Sequence, residues 1–185
     1  MSFSSLKNHL LIAMPNLHDG MFDRSVIVIC EHGAEGAMGL VINRLLDIPL
    51  AKALEAVGIT PPEDAIQKPV YWGGPVQPQH GFILHDGAGD WQVSMPVGDG
   101  LFLTSSPDIL AAIAEHRGPE HFLLALGYAG WGEGQLEQEL SENSWLHGPI
   151  DLSVLFDLPP AERWQAAARG LGVDMRLLSG AAGHA

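Results

Sequence analysis

The feature that most constrains this chain is the stretch "SVIVICEHGAEGAMGLVINR", residues 25–44. It holds two short apolar runs, "SVIVICEH" and "AMGLVINR", on either side of a polar, glycine-containing connection. β-branched residues fit a pleated, buried surface, and "EHGAEG" is hairpin-like, so the stretch predicts two paired strands. Short runs of this kind recur. "HLLIAM" (9–14) comes before it, and "PVYWGG", "GFILH", "WQVSM" and "LFLTSS" follow, divided by proline and glycine. A helix is expected at 48–57, where Leu50, Ala53, Leu54 and Val57 repeat at helical spacing, with Asp47 as cap and Gly58 as stop. A second is expected in "SPDILAAIAEHRG", capped by Ser106, opened by Pro107 and stopped by Gly118-Pro119. "EHFLLAL" reads as a central strand, and "PPAERWQAAARGLG" as a helix burying Trp164, Ala167, Ala168 and Leu171. No linker or internal repeat interrupts the 185 residues. The expected architecture is one α+β domain over residues 1–185, with a mixed, partly antiparallel and barrel-like sheet flanked by helices.

Charge narrows the functions available. The chain has 22 acids against 9 bases, a formal charge of −13, and from Gly127 to Glu162 seven acids with no Lys or Arg. Sequence-independent DNA binding needs basic groups to neutralise phosphates, so no direct nucleic-acid partner is expected. One cysteine allows no internal disulfide and suits a reducing compartment. The N-terminus has no secretory apolar core, and no stretch reaches the ~20 apolar residues of a spanning helix. A cytoplasmic, membrane-free protein is the expectation.

The segment "LGYAGWGEGQLEQEL" (126–140) sets Gly127, Gly130, Gly132 and Gly134 between an apolar run and an amphipathic one. A dinucleotide fingerprint needs glycine at i, i+2 and i+5, but the third place is Gln135 or Glu137 depending on the frame. A phosphate loop ends Gly-Lys-Ser/Thr, whereas this one ends Gly-Gln. Glu133, Glu137 and Glu139 supply negative charge where a phosphate would sit. The glycines therefore read as a tight, packed turn around Tyr128 and Trp131, and a ligand there would need a cation from elsewhere. Arg44, beside Asn43 at the end of an apolar run, is the candidate; the alternative is that it holds loops together. Gly73 and Gly74 in "WGGPV" are a candidate anion nest, or simply a turn stopped by Pro75.

Other chemistry is weighed the same way. Cys30 follows "VIVI" and reads as a buried, inert thiol, although His32 lies two residues on. His80 and His85 are five apart and face opposite sides of a strand, so with Asp86 they make no shared metal site. There is no H-E-x-x-H helix or cysteine pair, and His184 lies in the tail, so neither metal nor cofactor is expected. Ser105 and Ser106 lack the G-x-S-x-G frame of a nucleophile elbow, and "SSPD" reads as a helix start. "TPPED" (60–64) reads as a capping box pairing Thr60 with Glu63.

Several pieces together resemble the AlgH/YqgE family of bacterial proteins. They are "LLIAMP" (10–15), "EHGAEGAMGLVINR" (31–44), "GGPV" (73–76), "GFILH" (81–85), "TSSPDIL" (104–110) and "LGYAGWGEGQLEQELSENSWL" (126–146); "DLPPAERWQAAARGLGV" (157–173) matches the C-terminal helix. The resemblance implies a single-domain, cytosolic α+β protein with a partly barrel-like sheet. It carries a label of transcriptional regulation but no established activity and no catalytic residues. The functional expectation is a binding or regulatory protein that acts through a small anionic ligand or a protein partner. The candidate ligand contacts are Asn43, Arg44, Gly73, Gly74, Gly130, Trp131, Gly132 and Glu133. The alternative is an enzyme for a phosphorylated or nucleotide-like metabolite, with Glu133 or His32 as base.

Overall fold

The computed structural model describes residues 4–17 and 20–182; His184 and the last residues of the tail lie outside that range. The first half of the chain forms β1 (His9–Ala13), β2 (Val26–Gly33), β3 (Gly36–Val41), β4 (Leu45–Pro49), α1 (Leu50–Ala56) and β5 (Pro69–Trp72). Then come β6 (Val76–Asp86), β7 (Ser94–Gly98), β8 (Leu101–Thr104), α2 (Asp108–Ala114) and β9 (Phe122–Trp131). The chain continues with α3 (Gln135–Ser141), β10 (Trp145–Pro149), α4 (Leu152–Phe156), α5 (Pro160–Gly170) and α6 (Met175–Ala182).

The sheet runs β10-β1-β2-β3-β9-β6-β8-β7, with β4 and β5 attached off this path. Every pairing is antiparallel except β5 with β9, which is parallel. It is the curled, mixed α+β sheet that the alternating runs predict. β9 joins the two halves. Its first part pairs with β5 and β6, and its last three residues, Ala129 to Trp131, pair with β3. The Asn8 side chain reaches Asp99 at 2.6 Å in the β7–β8 turn, tying the two edges of the curl.

Three apolar clusters follow from this curvature. Inside the curl, Leu10, Val28, Cys30, Leu40, Leu84 and Leu103 meet Val154, Leu155 and Trp164 of α4 and α5. On the outside of one half, Leu11, Ile27, Ile29 and Val41 are covered by Leu136 of α3 and by Trp131 and Trp145. On the outside of the other half, Ile83 and Leu124 are covered by Leu50 and Leu54 of α1 and by Ile109 and Leu110 of α2. β2 thus buries Val26, Val28 and Cys30 on one face and Ile27 and Ile29 on the other. That is why "VIVIC" is a continuous apolar run with no polar alternation.

Several local expectations need correction. The glycine segment is mostly strand: Gly127 and Gly130 lie within β9, and only Gly132–Gly134 form a turn before α3. Residues 45–49 form β4 because they pair with β5; that partner is distant in sequence, and Asp47 sits within the strand as no cap. Pro49 caps α1 instead, without a side-chain bond. Thr60–Glu63 makes no capping box; a short 3-10 turn starts at Glu63 after Pro62. Strand β7 begins at Ser94 and not at Trp91. The Gln92 and Val93 N–H groups go to Asp108 Oδ2 (2.8 Å) and Ser106 Oγ (2.9 Å), leaving the ladder. Ser106 is therefore spent on Val93 and Asp108 and caps nothing; Pro107 is the N-cap. Helix α2 stops before Gly118. His116 takes the left-handed conformation (φ 58°), while Arg117 N–H returns to Ala112 O at 2.8 Å, a helix-ending motif usually built on glycine.

Candidate functional site

The "GWGEGQLEQELSENSW" segment builds one polar node in the outer layer. Trp131 ends β9 and Trp145 opens β10, with their rings edge to face at 6.3 Å. Both indole N–H groups donate to Glu139 Oε1, at 3.1 and 2.9 Å. Gln135 donates to Glu139 Oε2 at 3.0 Å and accepts from the Gly132 N–H at 2.9 Å. The spacing of Gln135 and Glu139, one helical turn apart on α3, places both over the tryptophans. This segment closes on itself through buried N–H groups that would otherwise be unpaired.

Beside it lies an open cavity of about 590 Å³ along the β2–β3 hairpin, lined by Lys7, Glu31, His32, Glu35, Met38 and Trp131 among others. Its wall is stiff. Leu6 N–H donates to His32 Nδ1 at 2.9 Å, and His32 Nε2 lies 2.5 Å from Glu137 Oε1 on α3. That pattern requires Nε2 to carry the proton. Both ring nitrogens are engaged and the ring is 2% exposed, so His32 braces the wall rather than offering a base. Partial burial pushes the Glu137 carboxyl upward, but its own backbone N–H and the His32 bond outweigh this and hold it below the usual range. Gly36 brings the hairpin onto β9: a Cβ there would meet Trp131 O at 2.2 Å.

Of the sequence-derived contacts, Trp131 lines this cavity, with Gly130 and Gly132 on either side of it in the chain and Glu133 exposed in the turn that follows. Asn43 and Arg44 lie beyond the far end of β3, Gly73 stands beside Val41, and Gly74 packs on the β9 backbone at Tyr128 and Ala129. Trp131 pairs with Ala37, whereas Asn43 and Arg44 follow Val41. Seven extended residues separate the two ends, roughly 20 Å. Asn43 Oδ1 accepts from Val26 N–H (2.9 Å), and its amide donates to Arg24 O (2.8 Å). Arg44 donates to Met21 O and to Asp23 O (2.8 Å) and stacks 5.2 Å over Trp72. The pair pins the 21–25 loop to the sheet. Gly73 wedges between β3 and β9: it donates to Leu126 O (2.8 Å) and accepts from Val41 N–H (2.9 Å). Its N–H is thus already occupied.

Cys30 is fully buried; burial, with help from Glu31 and against Lys7, pushes its thiol up to about 12. His85 is buried with Nδ1 at 2.9 Å from Asp86 O and Nε2 at 2.7 Å from Thr104 Oγ1, while His80 is exposed against Phe82, so the two share nothing. Sequence reasoning passed over a pair that the fold creates. Asp86, ending β6, accepts from the His121 backbone N–H (3.0 Å) and lies 2.7 Å from His121 Nδ1. Thirty-five residues separate them, and only the β6–β9 register brings them together. Among the described residues no helix is long and apolar enough to cross a membrane.

Comparison with known proteins agrees with this fold. A family model described as AlgH-like matches residues 10–176. A UPF0301 protein of Thioalkalivibrio sulfidiphilus is 56% identical over 182 residues, covering 98% of each chain. The solution structure of the AlgH protein from Pseudomonas aeruginosa is similar over 100% of both chains, with a TM-score of 0.82 and 48% identity. A crystal structure of a Corynebacterium diphtheriae protein shares the fold at 22% identity, with a TM-score of 0.75, covering 97% of this chain and 94% of the other.

Proposed function

The chain belongs to the AlgH-like family, and we propose from the geometry that it is a non-catalytic binding protein. Its ligand site in this reading is the cavity between the β2–β3 hairpin and Trp131. The observation that carries the reading is a roomy cavity whose rim is charged while His32, its one histidine among the described residues, is locked into the wall. Glu31 and Glu35 outnumber Lys7 there, which favours a ligand presenting a positive or neutral polar group, such as a basic segment of a protein partner. The formal charge of −13 favours such a partner over nucleic acid.

The enzymatic alternative has less in its favour. It needs Asn43, Arg44, Gly73 and Gly74 to hold an anion while His32 or Glu133 takes a proton. Asn43, Arg44, Gly73 and His32 already make structural hydrogen bonds, and Arg44 lies roughly 20 Å of strand from the Trp131 end. An anionic ligand, in turn, would belong beside Arg44 and Trp72.

A thermal-shift screen separates these readings. The panel is nucleotides, phosphorylated metabolites and short Arg- or Lys-rich peptides, run against the wild type, Glu35→Lys and Arg44→Ala. A ligand at 100 times its Kd adds about 2.7 kcal/mol, a rise of very roughly 5–10 °C for a domain of this size. The expected hits are cationic and are lost in Glu35→Lys. Hits that are anionic, survive Glu35→Lys and vanish in Arg44→Ala would refute the hairpin site. Turnover of any panel member would refute the non-catalytic reading.

A further inference from the structure

Asp86, Glu120 and His121 meet where β6 ends and β9 begins, on the part of the sheet away from Trp131. One ligand atom from each, a carboxylate oxygen of Asp86 and of Glu120 and a ring nitrogen of His121, lie within 4.8 Å of one another. We propose that these three side chains form a binding site for a borderline divalent cation such as Zn²⁺, Mn²⁺ or Co²⁺.

The geometry is pre-arranged by backbone bonds. Asp86 N–H donates to His121 O at 3.1 Å, and His121 N–H donates to Asp86 Oδ1 at 3.0 Å, so both residues are fixed before any metal arrives. The second carboxylate oxygen, Oδ2, lies 2.7 Å from Nδ1. With metal–ligand bonds of about 2.1 Å, neighbouring ligand atoms lie about 3.0 Å apart in octahedral and about 3.4 Å apart in tetrahedral coordination, so the pair needs to open by about 0.3–0.7 Å. The His121 ring stacks on Phe156 with centroids 5.6 Å apart, which sets its plane. Glu120 is exposed and closes the set by a change of rotamer.

The cation takes the place of the proton that Nδ1 shares with Asp86. On binding, a protonated ring releases its Nδ1 proton to solvent and a neutral ring exchanges its Nδ1 proton for one on Nε2, so in both cases the bound ring is neutral with its proton on Nε2 and the carboxylates keep their charge. One imidazole and two carboxylates suit zinc, manganese or cobalt, and three protein ligands leave coordination positions open. Those positions face two shallow cavities that share Glu120. One, about 250 Å³, is also lined by Lys68, Tyr71, His121 and Arg163, and the other, about 280 Å³, by Asp86, Trp91 and Arg117. The side chains that hold the site are distinct from those of the hairpin cavity, so neither reading depends on the other.

The test is calorimetric titration of the full chain with ZnCl₂, with Co²⁺ absorption as a second probe, on the wild type and four variants. Wild type takes up one Zn²⁺ per chain. His121→Ala and Asp86→Asn weaken binding by roughly 100-fold or more, and Glu120→Gln by about tenfold. His116→Ala, at an exposed histidine of α2's end, leaves affinity unchanged. Glu120 is exposed, so its variant keeps the fold and the test stands even where another variant does not. Absence of Zn²⁺ uptake by the wild type overturns the proposal. So does uptake that persists in His121→Ala and Glu120→Gln, which would place the ion at another histidine.

Discussion

Alanine substitutions through the glycines of residues 73–134 separate close approach from turning. At Gly74 an added Cβ would lie 2.0 Å from Tyr128 C, and at Gly127 it would lie 2.2 Å from Gly74 O. Ordinary contact begins near 3.4 Å, so two backbones must part by more than about 1 Å. Parting them threatens the Gly73 N–H bond to Leu126 O and the Val41 N–H bond to Gly73 O. Those two losses cost about 1 kcal/mol each, or up to about 3 each if the groups stay buried and unpaired. Positive φ at both glycines (154° and 78°) adds about 1–2 kcal/mol. Gly74→Ala and Gly127→Ala should therefore each lose about 3–8 kcal/mol, a large share of the about 5–15 kcal/mol typical of a domain. Gly130 and Gly132 differ. Their nearest neighbours stand 3.6 and 3.9 Å off, and neither φ is positive, so alanine there should stay within about 1 kcal/mol and can stabilise. Gly134→Ala, with φ 72° and open space around it, falls between at about 1 kcal/mol. Urea unfolding followed by tryptophan fluorescence reads these differences as midpoint shifts. Near-wild-type midpoints for Gly74→Ala and Gly127→Ala, or a Gly130→Ala loss as large as theirs, would refute the close-approach reading.

Glu139→Leu strands two buried indole N–H groups and should destabilise by about 2–4 kcal/mol in the same assay, whereas Glu142→Leu, exposed just past the end of α3, should cost less. Cys30, with its thiol near 12, should not react with a thiol reagent at pH 8 until the protein unfolds; prompt labelling of the native chain would contradict its burial. Partial burial pushes the Asp108 carboxyl up, but bonds from Ser106 and from the Gln92 and Ile109 N–H groups bring it below its usual 3.8. Its contribution is present above pH 3.8 and is lost as pH falls through the lower folded value. The melting temperatures of wild type and Asp108→Asn should thus differ at pH 7 and converge at the acid end.

How much of this was legible beforehand depends on how local the cause is. "VIVIC" declares a strand buried on both faces because the run itself is apolar throughout, and the curl around it supplies a cover for each face. Gly58 stops α1 as expected, with its N–H on Glu55 O, because a helix end is decided within six residues. Cys30 was likewise readable, since its neighbours in sequence are its neighbours on the strand. β4 was not, because residues 45–49 alternate weakly and become a strand only through Tyr71 and Val70. The beginning of β7 was misplaced because side chains of Ser106 and Asp108 draw off the backbone donors of Gln92 and Val93.

The candidate contacts divide along the same line. Residue types alone argued against a phosphate loop at Gly127–Gly134, since the segment has carboxylates where a cation is needed and no glycine at the required third place. Sequence alone likewise established the α+β class and the family resemblance, because both rest on local patterns repeated along the chain. Tertiary structure decided the rest. It made two of the four glycines strand residues, and it set Arg44 on the 21–25 loop with about 20 Å of strand between it and Trp131. It also brought Asp86 to His121 across 35 positions. The physical reason is register. A hydrogen-bonded ladder fixes which distant residues stand opposite one another, and that choice minimises the free energy of the whole sheet, so no single segment carries it.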